Sequence, residues 1–301
     1  MIASPRWQAV LFGAVSVLAL GFQITIQPDL ILQLLLLAPL VAILGLPHGA
    51  LDLPIAEAVW PLDGLRGKLR FVVIYLGLAA GVIVTWLLAP GFALVAFLTY
   101  SVLHFSDDWS KAASPLRWTG GVATIGAPAL FYPEEVTILF AYLAPPSAAQ
   151  FSATATAIAG SVGFCVFIGA MLLKPDTRGQ AAVEQAILWG IGALLPPLVF
   201  FGVYFCGLHS IRHFNATIQS LPQTRRALGI AAFLSGLIIL AAIFFVQNQT
   251  VGSSGPLPKD IVQAIFIGLA ALTVPHMILI GRFNSLSGGR GNLKTRQSSG
   301  R

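Results

Sequence analysis

The chain has 301 residues, of which 56% are hydrophobic and only 9% are charged, and its mean hydropathy is +0.84. Because a soluble domain carries about 25% charged residues, this composition excludes an ordinary soluble protein. It predicts an all-α, polytopic membrane helical bundle. The net charge of +6 does not indicate a nucleic-acid partner, because the Lys and Arg residues lie in short loops and in the tail. In those places they set the orientation of the chain in a lipid bilayer.

Apolar runs that suit a hydrocarbon core of about 30 Å follow one another along most of the chain. They occupy roughly 8–26, 30–47, 69–89, 91–106, 116–131, 149–173, 182–216, 226–247 and 261–281. Residues 286–301 are mainly Gly, Ser, Arg and Lys without periodicity, so we expect a disordered basic tail there. The sequence therefore predicts one membrane-embedded catalytic domain over residues 1–285, and we find no internal repeat.

The run at 182–216 contains Pro196-Pro197 and fits either one kinked span or two short spans that meet at the prolines. The charges of the loops favour two spans. With a cytoplasmic N-terminus, a single crossing would place Arg225, Arg226 and the basic tail outside, against the positive-inside rule. We therefore predict about ten transmembrane helices with both termini in the cytoplasm.

The five histidines of the chain all lie in or beside apolar runs. His48 belongs to the block GLPHGALD, His104 begins the block HFSDD, and His209 and His213 form an HxxxH pair on one helix face. Imidazoles inside a membrane are costly unless they have a function or a partner. The pattern predicts a metal site built from several helices, and ten spans place all these histidines toward the cytoplasmic side.

Two carboxylates follow the first two of these histidines at a spacing of four residues. We predict that Asp52 and Asp108 hold the second ring nitrogen of a ligating histidine, the usual arrangement around a metal. The alternative for each is a solvated helix end. His276, which has no such neighbour, is interpreted as a hydrogen bonder between helices, and its role stays open.

Several metal groups suit four neutral imidazoles. Zinc with four protein ligands would have no open position for chemistry, whereas iron(II) takes more ligands and would keep two positions for dioxygen or a substrate. A haem clamped by paired histidines is the alternative, and it would indicate a membrane electron carrier. The HxxxH pair argues against haem because both rings lie on one helix. A transporter ranks lower, since acidic residues lie mostly at helix ends.

Aromatic residues are dense around the predicted metal ligands. From this density we predict that Trp109, Tyr204 and Phe205 line a substrate pocket with apolar walls and few hydrogen-bonding groups. The alternative for each of these residues is ordinary packing between membrane helices.

The blocks GLPHGALD, HFSDD and CGLHSIRH resemble those of the bacteriorhodopsin-related (Brp/Blh) family of β-carotene 15,15′-dioxygenases. The resemblance extends over the membrane region in order, and HGxxD after an apolar run is its most specific part. It implies a non-haem Fe(2+) dioxygenase that cleaves the central double bond of β-carotene with O2 into two all-trans-retinal molecules. It also implies that His48, His104, His209 and His213 are the catalytic iron ligands, and it does not include His276.

The same resemblance implies where the protein works and with what. The substrates would be β-carotene, which dissolves in lipid, and O2, and the protein would be a multi-pass protein of the cell's inner membrane. Whether retinal is handed directly to a microbial rhodopsin as partner stays open.

Overall fold

The computed structural model describes residues 5–41, 51–60, 62–220 and 257–298, together with the isolated positions 225, 229, 232 and 236. Within these ranges the chain is helical and contains no strand, which confirms the all-α class. His48 lies outside the described residues, and so does the predicted span at 226–247 apart from the isolated positions 229, 232 and 236, so their predicted places stay predictions.

The described helices succeed one another with short connections. In chain order they are α1 (Arg6–Ile26), α2 (Leu30–Leu40), α3 (Asp52–Val59), α4 (Gly64–Leu88), α5 (Pro90–Ser106), α6 (Ser114–Phe131), α7 (Pro133–Leu143), α8 (Pro146–Leu173), α9 (Gln180–Leu194), α10 (Pro197–Tyr204), α11 (Ser210–Ser220) and α12 (Leu257–Ser298). Short 3-10 segments follow α5 (Asp107–Trp109) and α8 (Pro175–Thr177), and a π-helical segment (Phe205–His209) joins α10 to α11.

Four of the described helices are long and apolar enough to cross a membrane. They are α1, α4, α8 and the part of α12 from Pro258 to Arg282. α2 is a shorter apolar helix, and many large apolar side chains of α1 and α4 are exposed, as suits a surface that faces lipid. These features mark a membrane protein, while the number of spans and the side of the termini stay predictions.

The long apolar run at 182–216 is divided at its prolines. α9 ends at Leu194 and α10 begins at Pro197, so the chain forms two helices here, as the two-span interpretation requires. A proline is well placed at the first position of a helix, where its missing N–H is not needed. The structure also contains α7, which the run analysis does not predict, because its 11 residues are too few to cross the membrane.

Close helix crossings pack α6 against α8 and against α5, which carries His104. A Cβ atom added to Gly126 of α6 would lie 2.6 Å from the Cα atom of Gly160 of α8, so the two backbones touch at this crossing. A Cβ atom added to Gly121 would lie 2.9 Å from the backbone nitrogen of Ser106. Small residues at such crossings allow membrane helices to pack closely, and here they hold α5, with His104 near its end, against α6.

The backbone of α12 continues as a helix to Ser298, where the sequence predicts a disordered tail from residue 286. The glycines and serines of this stretch are weak helix formers, so the helical backbone is not what its composition predicts. The predicted domain boundary at residue 285 stays a prediction.

Candidate metal centre

Four histidine side chains from three parts of the chain meet inside the bundle. His104 comes from the end of α5, His209 and His213 from the segment around the start of α11, and His276 from α12. Their ring centroids lie 4.7 Å (His104–His209), 4.9 Å (His213–His276), 6.0 Å (His209–His213), 6.2 Å (His104–His276) and 6.3 Å (His104–His213) apart. The structure therefore brings together three of the predicted ligands and adds His276, which the sequence analysis leaves without a role.

A change of helix type places the HxxxH pair. Residues Phe205–His209 form a π-helical segment, and His213 lies one turn further on, in α11. A π-helical segment inserts an extra residue into a helix and is often found at functional sites. The sequence predicts a regular helix over this stretch. Gly207, a poor helix former, is a local sign that the helix is irregular here.

A separate side chain engages the Nδ1 atom of three of these histidines. The pairs are Asp52 Oδ1 with His276 (2.6 Å), Asp108 Oδ2 with His209 (3.1 Å) and Thr217 Oγ1 with His213 (3.2 Å). An ionised carboxylate only accepts hydrogen bonds, so His209 and His276 donate from Nδ1 and keep a lone pair on Nε2. Metal-binding histidines are held in this way by an outer carboxylate.

The two predicted carboxylates hold histidines, but not the ones that lie four residues before them. Asp108 contacts His209 rather than His104, because α5 ends at Ser106 and Asp108 belongs to the 3-10 segment that follows. The helical spacing that the sequence argument assumes is therefore broken between His104 and Asp108. Asp52 contacts His276, while its predicted partner His48 lies outside the described residues.

His104 differs from the other three histidines in its surroundings. Its Nδ1 atom is buried and has no hydrogen-bond partner among the residues that the structure describes. A buried polar atom left in this state costs about 1–3 kcal/mol, which is an argument for a ligand at this nitrogen.

The cluster offers imidazole nitrogens, which are common ligands of divalent metals, but its side chains do not surround one point. Within 5–41, 51–60, 62–220 and 257–298, no group of three or more His, Cys, Asp or Glu has the spacing of a formed metal site. Imidazole nitrogens suit zinc, copper, iron and nickel. Ring nitrogens of His104, His209 and His213, three of the four predicted ligands, would supply such donors.

A network of polar side chains holds Asp108 in place. Tyr204 donates a hydrogen bond of 2.7 Å to Asp108 Oδ2, and Arg212 donates one of 2.8 Å to the Asp108 backbone carbonyl. Arg212 also pairs with Glu184 at 2.7 Å, and Trp109 Nε1 donates to Glu184 at 3.0 Å. Arg212 and Glu184 are charged residues inside apolar runs, a signal of function or structure in a membrane that the sequence analysis does not use.

An apolar cavity of about 380 Å³ opens beside the histidines. His104, His276 and Asp52 are among its polar lining residues, and most of the wall is Leu, Val, Ile and Phe. The phenylalanines in this wall include Phe97, Phe140, Phe200, Phe201, Phe205 and Phe266. Such walls suit a ligand with almost no hydrogen-bonding groups.

The three aromatic residues that the sequence predicts for the pocket separate into two groups. Phe205 lines the cavity. Tyr204 and Trp109 are not among its lining residues; their rings stack at 6.3 Å behind the histidines, and their polar atoms serve the network around Asp108 and Glu184.

The fold and the site define a class of protein: a helical membrane protein with a histidine cluster beside an apolar, aromatic cavity. Residues 39–284 match the model of the family described as beta-carotene 15,15′-dioxygenase. The beta-carotene 15,15′-dioxygenase of uncultured marine bacterium 66A03 is 35% identical over 256 residues, which cover 80% of this chain and 90% of that protein. The chain therefore belongs to the β-carotene 15,15′-dioxygenase family, which confirms the resemblance seen in the sequence.

A second relative extends the similarity to an archaeon. The probable beta-carotene 15,15′-dioxygenase Blh of Halobacterium salinarum is 28% identical over 295 residues, with 83% of this chain and 85% of that protein covered. No solved structure matches the chain.

Proposed function

We propose that this chain is an iron(II)-dependent, non-haem dioxygenase that cleaves the central double bond of β-carotene with O2 and releases two all-trans-retinal molecules. The family membership and the 35% identity over 90% of a relative named beta-carotene 15,15′-dioxygenase support carotene cleavage. The structural observation that carries the proposal is the direct junction of the buried histidines with the apolar cavity, since His104 and His276 are part of the cavity wall.

The proposed ligands of the iron are His48, His104, His209 and His213. When bound, the iron supplies a Lewis-acidic, redox-active centre for the reaction of O2 with a carbon–carbon double bond. The protein contributes orientation: Asp108 holds the ring of His209 through Nδ1, and Thr217 contacts Nδ1 of His213. These contacts would orient both rings for metal binding through Nε2.

The cavity wall would select and orient the carotenoid. A carotenoid that enters from lipid leaves no water behind, so close van der Waals packing against the wall, and not the hydrophobic effect, would hold it in place. The faces and edges of Phe201, Phe205 and Phe266 pack against one another beside the histidines and offer aromatic contacts to a conjugated chain. The same wall excludes water from the double bond that is cleaved.

The placement in the membrane is also part of the proposal. We infer about ten spans with both termini in the cytoplasm of the cell's inner membrane. The break between α9 and α10 at Pro196 and the loop charges support this topology. Reporter fusions or cysteine labelling at position 225 test it: a cytoplasmic position supports ten spans, and an external one contradicts them. Whether retinal passes directly to a microbial rhodopsin stays open.

Expression in cells that accumulate β-carotene tests the activity. We expect the orange colour to fade while retinal appears, and a His209→Ala variant, present in the membrane at the same level, to leave the pigment unchanged. Full pigment in cells that contain the folded parent protein contradicts the proposal. The optical spectrum of the purified protein separates the haem alternative, which requires a Soret band, from a non-haem iron centre.

A further inference from the structure

We propose that His276 is an additional nitrogen ligand of the same metal centre and that Asp52 and Tyr75 hold it in the binding orientation. The inference deepens the proposed function and rests on its metal centre. It assigns a role to a histidine that the family pattern and the sequence analysis leave open.

The distance between His276 and His213 is the first argument. Their Nε2 atoms lie 3.2 Å apart, within hydrogen-bond distance of each other. Two nitrogens that bind one metal at about 2.0–2.1 Å, with an angle between 90° and the tetrahedral value, lie roughly 2.9–3.4 Å from each other. The observed separation falls inside this interval, so both nitrogens reach a common metal position with little movement.

The hydrogen bond of Asp52 is the second argument, because it sets the tautomer of His276. Asp52 Oδ1 lies 2.6 Å from Nδ1 of His276, and both side chains are buried. An ionised carboxylate accepts the proton of Nδ1–H, and the lone pair of the imidazole then lies on Nε2. His276 therefore presents an acceptor atom, the form that binds a metal, toward His213.

Tyr75 completes the support of His276 from α4. Its hydroxyl donates a hydrogen bond of 2.8 Å to Asp52 Oδ2 and lies 3.3 Å from the carbonyl of Leu272. The two oxygens of Asp52 are thus divided between Tyr75 and His276, which fixes the carboxylate plane. A hydrogen bond between two membrane helices would not require such a second layer.

The third argument is that a similar arrangement occurs at His209, one of the four proposed ligands. There, Tyr204 donates to Asp108 Oδ2 at 2.7 Å, and the same oxygen lies 3.1 Å from His209 Nδ1. Each unit consists of a tyrosine, a buried aspartate and a histidine, and the two units come from different helices. His276 is therefore held by an aspartate and a tyrosine, as is the proposed ligand His209.

Charge balance adds a physical reason for the second unit. Asp52 is almost completely buried, and none of the Lys or Arg residues in the described part of the chain forms an ion pair with it. A buried carboxylate without a nearby positive charge is costly. The positive charge of a divalent ion bound to His276 would offset this cost.

Metal binding to the purified full-length protein in lipid nanodiscs tests the inference, with Fe(II) and Co(II) as probes under anaerobic conditions. We expect Asp52→Asn to weaken binding about 10–100-fold, as is usual for an outer carboxylate, and His276→Ala to weaken it more. Tyr75→Phe, which removes one hydrogen bond from Asp52, should have the smallest effect. Thr273→Val, one turn earlier on the same helix with its hydroxyl bonded to the carbonyl of Leu269, is the matched control and should bind both metals like the parent.

The visible spectrum of bound Co(II) provides a readout that a purely structural role of His276 would not change. Loss of a nitrogen ligand alters the energies and intensities of the Co(II) absorption bands. Added imidazole should restore the parent spectrum in His276→Ala, because it fills the space that the side chain leaves. His276→Gln keeps a hydrogen-bonding side chain and serves as the second variant if His276→Ala does not fold.

The outcomes separate this inference from the proposed function. A folded His276→Ala or His276→Gln protein that binds Co(II) with the parent's affinity and spectrum removes His276 from the ligand set, while the iron enzyme stands. A parent protein that cleaves β-carotene yet binds neither metal overturns the metal centre and His276 with it. A parent protein that binds metal and cleaves no carotenoid contradicts the activity and leaves the role of His276 to the metal measurements.

Discussion

Asp108 and His209 are 101 positions apart in the chain, and their side chains lie 3.1 Å from each other inside the bundle. The contact joins the 3-10 segment after α5 to the last residue of the π-helical segment. Because α5 also carries His104, this single hydrogen bond holds two histidine-bearing helices in a fixed relation. The geometry of the centre therefore depends on a residue that need not touch the metal.

The first prediction concerns this carboxylate. Asp108→Asn removes the negative charge that orients the His209 ring and fixes its tautomer, so we expect Fe(II) affinity to fall about 10–100-fold without being abolished. The neighbouring Asp107 is half-exposed and pairs with Arg117 at 2.7 Å; exposed pairs of this kind contribute about 0–1 kcal/mol. Asp107→Asn is therefore the control and should bind iron like the parent. Equal losses in the two variants would contradict the role of Asp108.

The second prediction concerns the ion pair behind it. Arg212 and Glu184 are 2.7 Å apart, with side-chain exposures of 11% and 2%. Arg212→Met leaves the Glu184 carboxylate buried without its partner, so we expect a loss of about 3–5 kcal/mol in the free energy of unfolding. Unfolding of the detergent-solubilised protein by a denaturant measures this loss.

The double variant Arg212→Met/Glu184→Leu tests whether the destabilisation of Arg212→Met comes from the carboxylate of Glu184 that is left without its partner. Replacing both members of a buried ion pair by apolar residues is often close to neutral, so we expect the double variant to be more stable than Arg212→Met alone. A double variant that loses the sum of the two single effects would show that the residues act independently.

The third prediction concerns the crossing of α5 and α6. A Cβ atom on Gly121 would lie 2.9 Å from the backbone nitrogen of Ser106 and would also collide with the carbonyl of Val102. Gly121→Ala should therefore separate the helices, lower the stability by about 1–3 kcal/mol and displace His104. Gly169→Ala, at a position with open space around the glycine, is the control and should unfold at the parent's temperature. An unchanged unfolding temperature and iron affinity for Gly121→Ala would contradict this account of the crossing.

Composition and local spacing predict a large part of this structure. The all-α class follows from the scarcity of charged residues, and the break between α9 and α10 follows from Pro196-Pro197 together with the loop charges. The meeting of His104 with the HxxxH pair follows from the cost of imidazoles in lipid. These properties depend on single residues and their neighbours along the chain, which is why one sequence is enough for them.

Partners across helices could not be predicted in the same way. His276 and Asp52 are 224 positions apart, and no periodicity in one sequence relates two such residues. The pairing of Asp108 with His104 fails because it assumes that α5 continues beyond Ser106. Tyr204 and Trp109 were predicted as pocket residues from their rings alone; the hydroxyl and the indole N–H, which seek a partner when buried, point instead to the polar network.

The fourth prediction separates the cavity from the metal. Ser101 is buried, lines the cavity and lies one helical turn before His104 on α5. Ser101→Leu adds apolar volume beside the histidines without removing a proposed ligand, so the polyene can no longer place its central double bond there. Because a displacement of about 1 Å can lower a rate on the order of 10²-fold, we expect retinal formation to fall by roughly that factor while Fe(II) stays bound.

Thr99→Leu, at an exposed position of the same helix whose hydroxyl bonds to the carbonyl of Val95, is the matched control and should retain the parent's rate. Retinal formation and metal content measured on the same purified samples decide the matter: normal retinal formation by Ser101→Leu would mean that the substrate does not occupy this part of the cavity.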